Sequence, residues 1–339
     1  MMPLKRKSYS VSFTALAAAF LLALLTIAIL SGNPWKAMGY MLAGPFLSPM
    51  ALGNLLESTA RLTLAGIAAS LAFRAGLFNL GGEGQALAGG LAAAAVALYF
   101  PEIPRVLALP AALAAGLLAG SLIGAFSGFL RVMWGVDELI SSFLIAASMG
   151  PVGHVLLNNV MKDPESYLIA APPLTDNYQL AALWPPSRLT AVLLWALIVT
   201  VGSFLFLKFT RRGYEWRLRG ANERFARYGG IKTGSIAIAS LSVSGALYAA
   251  AGTAALMDGG QAVQGFTAGL GWDGLAIALI AGSRPELIPL AAISYSWLLQ
   301  GTRAAMMHTG FPFALSGMVQ ATVFLFVTAR RFSLKRGRI

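Results

Sequence analysis

The stretch Phe73-Arg74-Ala75-Gly76-Leu77-Phe78-Asn79-Leu80-Gly81-Gly82-Glu83-Gly84-Gln85 separates two apolar runs that are each long enough to cross a lipid bilayer. It combines four glycines with the polar side chains of Asn79, Glu83 and Gln85. Glycine permits positive φ angles and close backbone contact. Polar groups at membrane depth are costly unless they face protein or a water-filled path. The sequence therefore predicts a broken or re-entrant segment near residues 74–85, in a turn or beside a pathway.

The composition indicates an all-α integral membrane protein. Hydrophobic residues make up 57% of the chain and charged residues 11%, whereas about a quarter of the residues of a soluble domain are charged. The sequence has no cysteine, which excludes disulfides and thiolate metal ligands. With two histidines, His154 and His308, a histidine-rich metal site is not expected either. No metal site is predicted.

Charged residues and Pro/Gly clusters divide the chain into candidate membrane-spanning helices of about 20 residues. Ten are predicted, with boundaries near residues 11–30, 49–73, 83–100, 105–131, 138–158, 189–209, 236–257, 269–283, 286–300 and 312–330. The eighth and ninth are short and are split by Ser283-Arg284-Pro285-Glu286, which suggests half-helices or a hairpin. A retained first helix is favoured over a signal peptide because its apolar run exceeds the usual length of about 7 to 15 residues.

The distribution of basic residues predicts the topology. If the amino terminus is cytoplasmic, ten crossings return the carboxyl terminus to the cytoplasm, and most of the 25 Lys and Arg residues fall on cytoplasmic loops. The same distribution accounts for the net charge of +12 without nucleic acid as a partner. A single transmembrane domain, residues 1–339, is predicted. Its largest outer loop, residues 159–188, is rich in proline and either packs over the mouth of a pathway or simply connects two helices.

The longest strongly polar stretch, residues 211–235, is predicted to be cytoplasmic and to contain a short helix. Asn222 is a plausible helix cap, Phe225 and Tyr228 share one helical face, and Gly229-Gly230 is a stop signal. Two interpretations remain: a cytosolic partner grips this helix, or a basic amphipathic segment rests on anionic lipid.

Two motifs resemble one family. The run Phe78-Asn79-Leu80-Gly81-Gly82-Glu83-Gly84-Gln85 resembles the Phe-Asn-Ile-Gly-x-Glu-Gly-Gln signature of permease subunits of ATP-binding-cassette (ABC) importers of the nucleoside and simple-sugar type. These belong to the branched-chain amino acid/ribose permease superfamily. The segment from Gly220 to Ile231 is similar to their Gly-x-Asn-x-x-Ala-Ala-x-Tyr-x-Gly-Ile coupling segment, with Phe225 in place of the first alanine.

The resemblance implies a transport subunit rather than an enzyme, so no catalytic residues are expected. The chain has no Walker A sequence, so ATP hydrolysis is expected in a separate subunit. The implied partners are a cytosolic ABC ATPase that carries ATP and magnesium, a second and distinct permease, an extracytoplasmic solute-binding protein and membrane lipid. No cofactor is expected in this chain, and the implied location is the bacterial inner membrane. The residues expected to couple to the ATPase are Asn222, Glu223, Arg224, Ala226, Tyr228, Gly229 and Ile231.

Several side chains are candidates for the substrate pathway, each with a structural alternative. Glu57 and Arg61 lie four residues apart on one helical face and are expected to form an ion pair, either structural or lining the pathway. Asn79, Glu83 and Gln85 suit a polar solute or a helix break, and Glu83 also suits the positive end of the following helix. Phe266 and Trp272 offer rings for stacking, or serve as interfacial anchors.

The resemblance favours a nucleoside-like solute, and leaves riboflavin or a simple sugar open. An alternative of another class is an ion-coupled secondary transporter or channel. That alternative requires buried carboxylates, and Glu57, the one that stands well inside a predicted span, has Arg61 as a ready partner. A membrane enzyme is not favoured, because no nucleophile, base and orienting group occur together on one face.

Overall fold

A computed structural model describes residues 31–309 together with residues 17, 20–22, 24–26 and 321. The predicted first and tenth spans fall largely outside this part. Within residues 31–309, eleven α-helices follow one another: α1 Pro34–Ala43, α2 Pro49–Arg74, α3 Gly82–Tyr99, α4 Arg105–Trp134, α5 Glu138–Val155, α6 Val192–Phe209, α7 Arg211–Ala221, α8 Glu223–Tyr228, α9 Thr233–Gly259, α10 Leu270–Ile280 and α11 Ile288–Thr309. The predicted all-α fold is confirmed.

Four helices of the described part are long and apolar enough to cross a membrane: α4, α5 with its extension to Val160, α6 and α9. A fifth candidate is the pair formed by α10 and Pro285–Thr309, which bends by 107° at the predicted Ser283–Glu286 break. The chain is thus a multi-pass membrane protein. Ten spans and cytoplasmic termini stay predictions.

The predicted break between α2 and α3 is present. At the end of α2, Gly76 has a φ of 76° and donates its N–H to the carbonyl oxygen of Phe73 at 3.0 Å. Leu77 donates to Ala72 at 3.0 Å, which completes a Schellman motif. The two helices share some neighbours and differ in others: α2 packs on α6, α9, α10 and α11, and α3 packs on α4, α5, α9 and α10.

The most extensive contact between two helices is the one between α4 and α9. Gly116, Gly120, Gly124 and Gly128 form a stripe on α4 at four-residue spacing. A Cβ atom added to Gly120 would lie 2.3 Å from the carbonyl oxygen of Gly245 on α9, and one added to Gly124 would lie 2.1 Å from that of Leu241. These small residues let the backbones of α4 and α9 approach each other closely.

The outer loop is ordered against the end of α9. Ala171 donates its backbone N–H to Ala262 at 2.9 Å, and Leu174 donates to Gly260 at 2.8 Å. In return, Gln264 donates to Ile169 at 2.9 Å. The loop therefore does more than connect two helices, because its backbone positions the chain that follows α9.

A matched pair of glycine substitutions tests the α4–α9 contact. We expect Gly120→Ala to lower stability by about 1–3 kcal/mol, since the new methyl group meets backbone rather than a movable side chain. Gly202→Ala, on α6 where a Cβ meets nothing within 4 Å, should raise stability by about 0.5–1 kcal/mol. Thermal unfolding midpoints in detergent measure both effects. Equal shifts of the two variants would contradict the packing argument.

The absence of cysteine permits a direct test of topology. Lys162→Cys in the outer loop and Arg212→Cys on α7 each introduce one exposed thiol. We expect a membrane-impermeant thiol reagent to label Lys162→Cys in intact cells, and to label Arg212→Cys only after the membrane is opened. The reverse pattern would show that the orientation is inverted.

Candidate solute pathway and coupling surface

The side-chain amides of Asn79 and Gln85 form two hydrogen bonds with each other in the break. Asn79 and Gln85 are fully buried. Asn79 donates from Nδ2 to Gln85 Oε1 at 2.8 Å and to Ser244 Oγ on α9 at 2.9 Å. Its Oδ1 accepts from the backbone N–H of Gly81 at 2.9 Å and from Gln85 Nε2 at 3.2 Å. Every donor and acceptor of the Asn79 amide is thus used, and the geometry is that of a fixed helix break.

Glu83 joins two helices at their N-termini. It lies in the first turn of α3, and its carboxylate accepts hydrogen bonds from the backbone N–H groups of Gly269 at 3.2 Å and Gly271 at 2.9 Å. The Thr267 hydroxyl also donates to it, at 2.5 Å. A carboxylate at this place stabilises the positive end of α10 as well as that of its own helix.

A polar cavity of about 440 Å³ lies at the end of α9 that is distant from α7 and α8. The 27 residues of α9 make this separation roughly 40 Å. The cavity is within the size range of small-molecule sites. Its lining combines charged groups, amides and one aromatic ring: Asn54, Glu57, Arg61, Arg188, Ala255, Asp258, Gly259, Gln261, Val263, Phe266, Gln300 and Arg303.

The predicted ion pair between Glu57 and Arg61 is replaced by two longer-range contacts. Arg61 Nη1 lies 3.0 Å from Asp258 Oδ2 on α9. Glu57 Oε2 accepts from the backbone N–H of Thr190 at 2.8 Å and from its hydroxyl at 3.0 Å. The four-residue spacing permits the predicted pair, but each side chain has a better-placed partner from another segment.

A smaller cavity of about 80 Å³ adjoins the first, since Arg61, Phe266 and Arg303 line both. Its remaining wall includes Thr267, three residues before α10, and Asp273 in the first turn of α10. The pair of cavities therefore runs from the outer loop toward the segment that Glu83 holds.

The structure separates the two candidate aromatic residues. Phe266 lines both cavities, while Trp272 belongs to neither lining and packs edge-on to Phe143 at 6.3 Å between ring centroids. Sequence reasoning missed Arg188, Asp258 and Arg303, because the cavity is assembled from segments distant in sequence and no local pattern marks them.

The segment from α7 to α8 forms an exposed surface. Asn222 caps α8 by accepting from the backbone N–H of Phe225 at 3.0 Å, and Gly230, with a φ of 80°, follows the end of the helix, as predicted. Ala226 is buried against the bundle, whereas Phe225 is 62% and Tyr228 92% exposed. These two exposed rings on a polar helix leave a surface that either a protein partner or anionic lipid can contact.

A multi-pass helical bundle with a polar cavity at one end of α9 has the architecture of a membrane transport subunit. The chain belongs to the family described as "Branched-chain amino acid transport system / permease component", which matches residues 51–328.

Named relatives are permease subunits, which are transport components rather than enzymes. The chain is 28% identical to the nucleoside ABC transporter permease protein NupB of Lactococcus lactis, over 96% of this chain and 92% of that protein. It is 26% identical to the probable riboflavin import permease protein RfuC of Treponema pallidum, over 90% and 81%. It is 28% identical to the glucose ABC transporter permease protein TsgB13 of Haloferax volcanii, over 98% and 90%.

Removal of the Asn79 amide tests its role in the break. We expect Asn79→Ala to lower stability by about 1–3 kcal/mol, because Gln85 and Ser244 lose their partner in a buried site. Asn159→Ala, at an exposed position, is the control and should change stability by less than about 0.5 kcal/mol. Thermal unfolding in detergent distinguishes the two. If Asn79→Ala leaves the stability unchanged, the break does not depend on this amide.

Proposed function

We propose that this permease passes a nucleoside-like solute from an extracytoplasmic binding protein to the cytoplasm, in the inner membrane of a bacterium. A separate cytosolic ATPase supplies the ATP and magnesium, and a second, distinct permease completes the pathway. This chain needs no cofactor of its own for that role.

The polar cavity at the outer end of α9 is the observation that supports the proposal most. Phe266 presents an aromatic ring, against which a base can stack. Arg188 and Arg303 offer hydrogen-bond donors, and Gln261 and Gln300 offer both donors and acceptors. This combination suits a ring that carries polar groups and hydroxyls, such as a nucleoside.

The exposed surface of α8 supports coupling to the ATPase. We assign the contact to Asn222, Glu223, Arg224, Ala226, Tyr228, Gly229 and Ile231. Asn222 and Ala226 fix the shape of the segment, while Tyr228 presents its ring outward. The roughly 40 Å of α9 between this surface and the cavity supports an arrangement with solute entry and ATP-driven force on opposite sides of the membrane.

Riboflavin is the second candidate solute, favoured by the similarity to RfuC, a probable riboflavin import permease, and by the same aromatic and polar lining. Simple sugars are a third candidate solute, because the chain is also similar to the glucose permease TsgB13. An ion-coupled transporter is less well supported, because Asp258 pairs with Arg61 and Glu57 Oε2 accepts two hydrogen bonds from Thr190. Within the described residues, Glu57 Oε1 is left without a hydrogen-bond partner.

Uptake into vesicles tests the proposal. The assembly contains this chain, its partner permease, the ATPase and the binding protein, and the labelled solutes are guanosine, riboflavin and ribose. We expect ATP-dependent uptake of guanosine. ATP-dependent uptake of riboflavin or ribose instead would keep the importer and change its solute, while uptake without ATP would contradict the permease assignment.

A substitution in the cavity sharpens the same assay. Phe266→Leu should raise the KM for guanosine about tenfold, since base–aromatic stacking contributes about 1–3 kcal/mol. Trp272→Leu, outside both cavities, should leave the KM unchanged. If the two variants behave alike, the cavity is not the site of contact.

A further inference from the structure

The break between α2 and α3 contacts both functional regions of the molecule. One side touches the end of α7, which belongs to the coupling segment, residues 211–235. The other side is continuous with Glu83, which holds the start of α10 beside the smaller cavity. These contacts make the break a candidate mechanical link between them.

On the coupling side, the backbones of α7 and the break touch directly. A Cβ atom added to Gly220 would lie 2.2 Å from the carbonyl oxygen of Arg74. One added to Gly76 would lie 2.8 Å from the Cα atom of Gly220. With no side chains between them, a displacement of α7 is transferred to the break without being absorbed by rotamer changes.

Arg219 reinforces this contact with three partners from three segments. Its side chain is 2% exposed, and its guanidinium donates to the carbonyl oxygens of Ala75 in the break and of Thr233 at the start of α9, the latter at 3.1 Å. It also lies 3.5 Å from the carboxylate of Glu223 on α8. Burial lowers the pKa of Arg219, and Glu223 opposes that shift. The guanidinium stays charged, because its reference pKa is far above neutral.

Glu223 provides a second connection to the break. Besides Arg219 it pairs with Arg227 at 3.4 Å and with Arg131, at the end of α4, at 3.6 Å. Arg131 also pairs with Glu138, whose carboxylate accepts from the backbone N–H of Phe78 at 3.4 Å. Two charged routes thus lead from α8 to the break.

On the cavity side, the link continues through Glu83. The Asn79–Gln85 pair fixes the first turn of α3, and Glu83 in that turn binds Thr267, Gly269 and Gly271. Thr267 lines the smaller cavity. If the break moves, Glu83 moves with it. Its hydrogen bonds then displace the segment from Thr267 to Gly271, which forms part of the wall of the smaller cavity.

We infer that Arg219 and Glu83 are positioning residues that transmit the movement of the coupling helices through the break to the wall of the solute cavity. The inference rests on the proposed function and specifies how its two sites communicate. The inference requires the break to take two positions, whose balance both sites change.

The ratio of solute transported to ATP hydrolysed tests this link in the reconstituted assembly. We expect Arg219→Gln and Glu83→Gln to keep ATP hydrolysis within twofold of the parent while solute transported per ATP falls at least fivefold. Arg219→Lys, which keeps the charge but loses the planar fork, should recover part of the loss. Lys208→Gln and Glu102→Gln, exposed charges outside the link, should match the parent.

The rate of thiol modification of a cysteine in the smaller cavity provides a second test of the link. In a Ser58→Cys background, we expect ATP to change the rate of thiol modification at least threefold, and expect this change to vanish when Arg219→Gln is added. Ser58 lines the smaller cavity and is partly exposed. The change in modification rate does not depend on which solute is transported.

The outcomes separate the two proposals. If the parent shows no ATP-dependent uptake of any solute, the proposed function fails and the link fails with it. If the parent transports while Arg219→Gln keeps its full solute-to-ATP ratio, the link alone is overturned. An equal loss of uptake and ATP hydrolysis would assign Arg219 to assembly, and would overturn the link as well.

Discussion

The structure depends on how the buried, non-helical backbone between α2 and α3 finds partners for its hydrogen-bonding groups. Between α2 and α3 the main chain cannot use intrahelical hydrogen bonds, and water does not reach much of it, so other segments must supply partners. Ser142 of α5 accepts from Leu80 at 3.1 Å, Glu138 accepts from Phe78, and Arg219 of α7 donates to Ala75. Because these partners come from α5 and α7, the break fixes the positions of α2, α3, α5 and α7 relative to one another.

The second constraint is the close approach of α4 and α9. A helix of 27 residues that contacts its neighbour through backbone atoms has little freedom to bend or slide locally. The same helix begins beside Arg219, through Thr233, and ends at the cavity, through Asp258. It is therefore suited to act as a rigid reference against which α10 and the break shift.

Local features could be predicted from the sequence, and long-range pairings could not. The break, the Asn222 cap, the Gly230 stop and the small-residue stripe each depend on residues within a few positions of one another. The partner of Arg61 depends on where the end of α9 lies, some 197 residues away. The identification of Glu83 as a cap for α10 needs the same knowledge of tertiary structure. Spacing along a helix shows which side chains can meet, but not which distant group competes for them.

The contacts around the cavity determine which of its walls can move. The Arg61–Asp258 pair joins α2 to the end of α9, and Glu57 joins α2 to Thr190, just before α6. Separating either pair would leave a charge or carboxylate without its partner in a poorly hydrated site, which is costly. The start of α10 is held differently, by hydrogen bonds to Glu83 that travel with the first turn of α3. Movement of the α10 wall with the break leaves these charge pairs intact. It requires α10 to shift against α2, where a Cβ atom added to Gly274 would lie 2.7 Å from the backbone of Ala65, and against α11, where the Tyr295 hydroxyl donates to Asp273 at 2.6 Å.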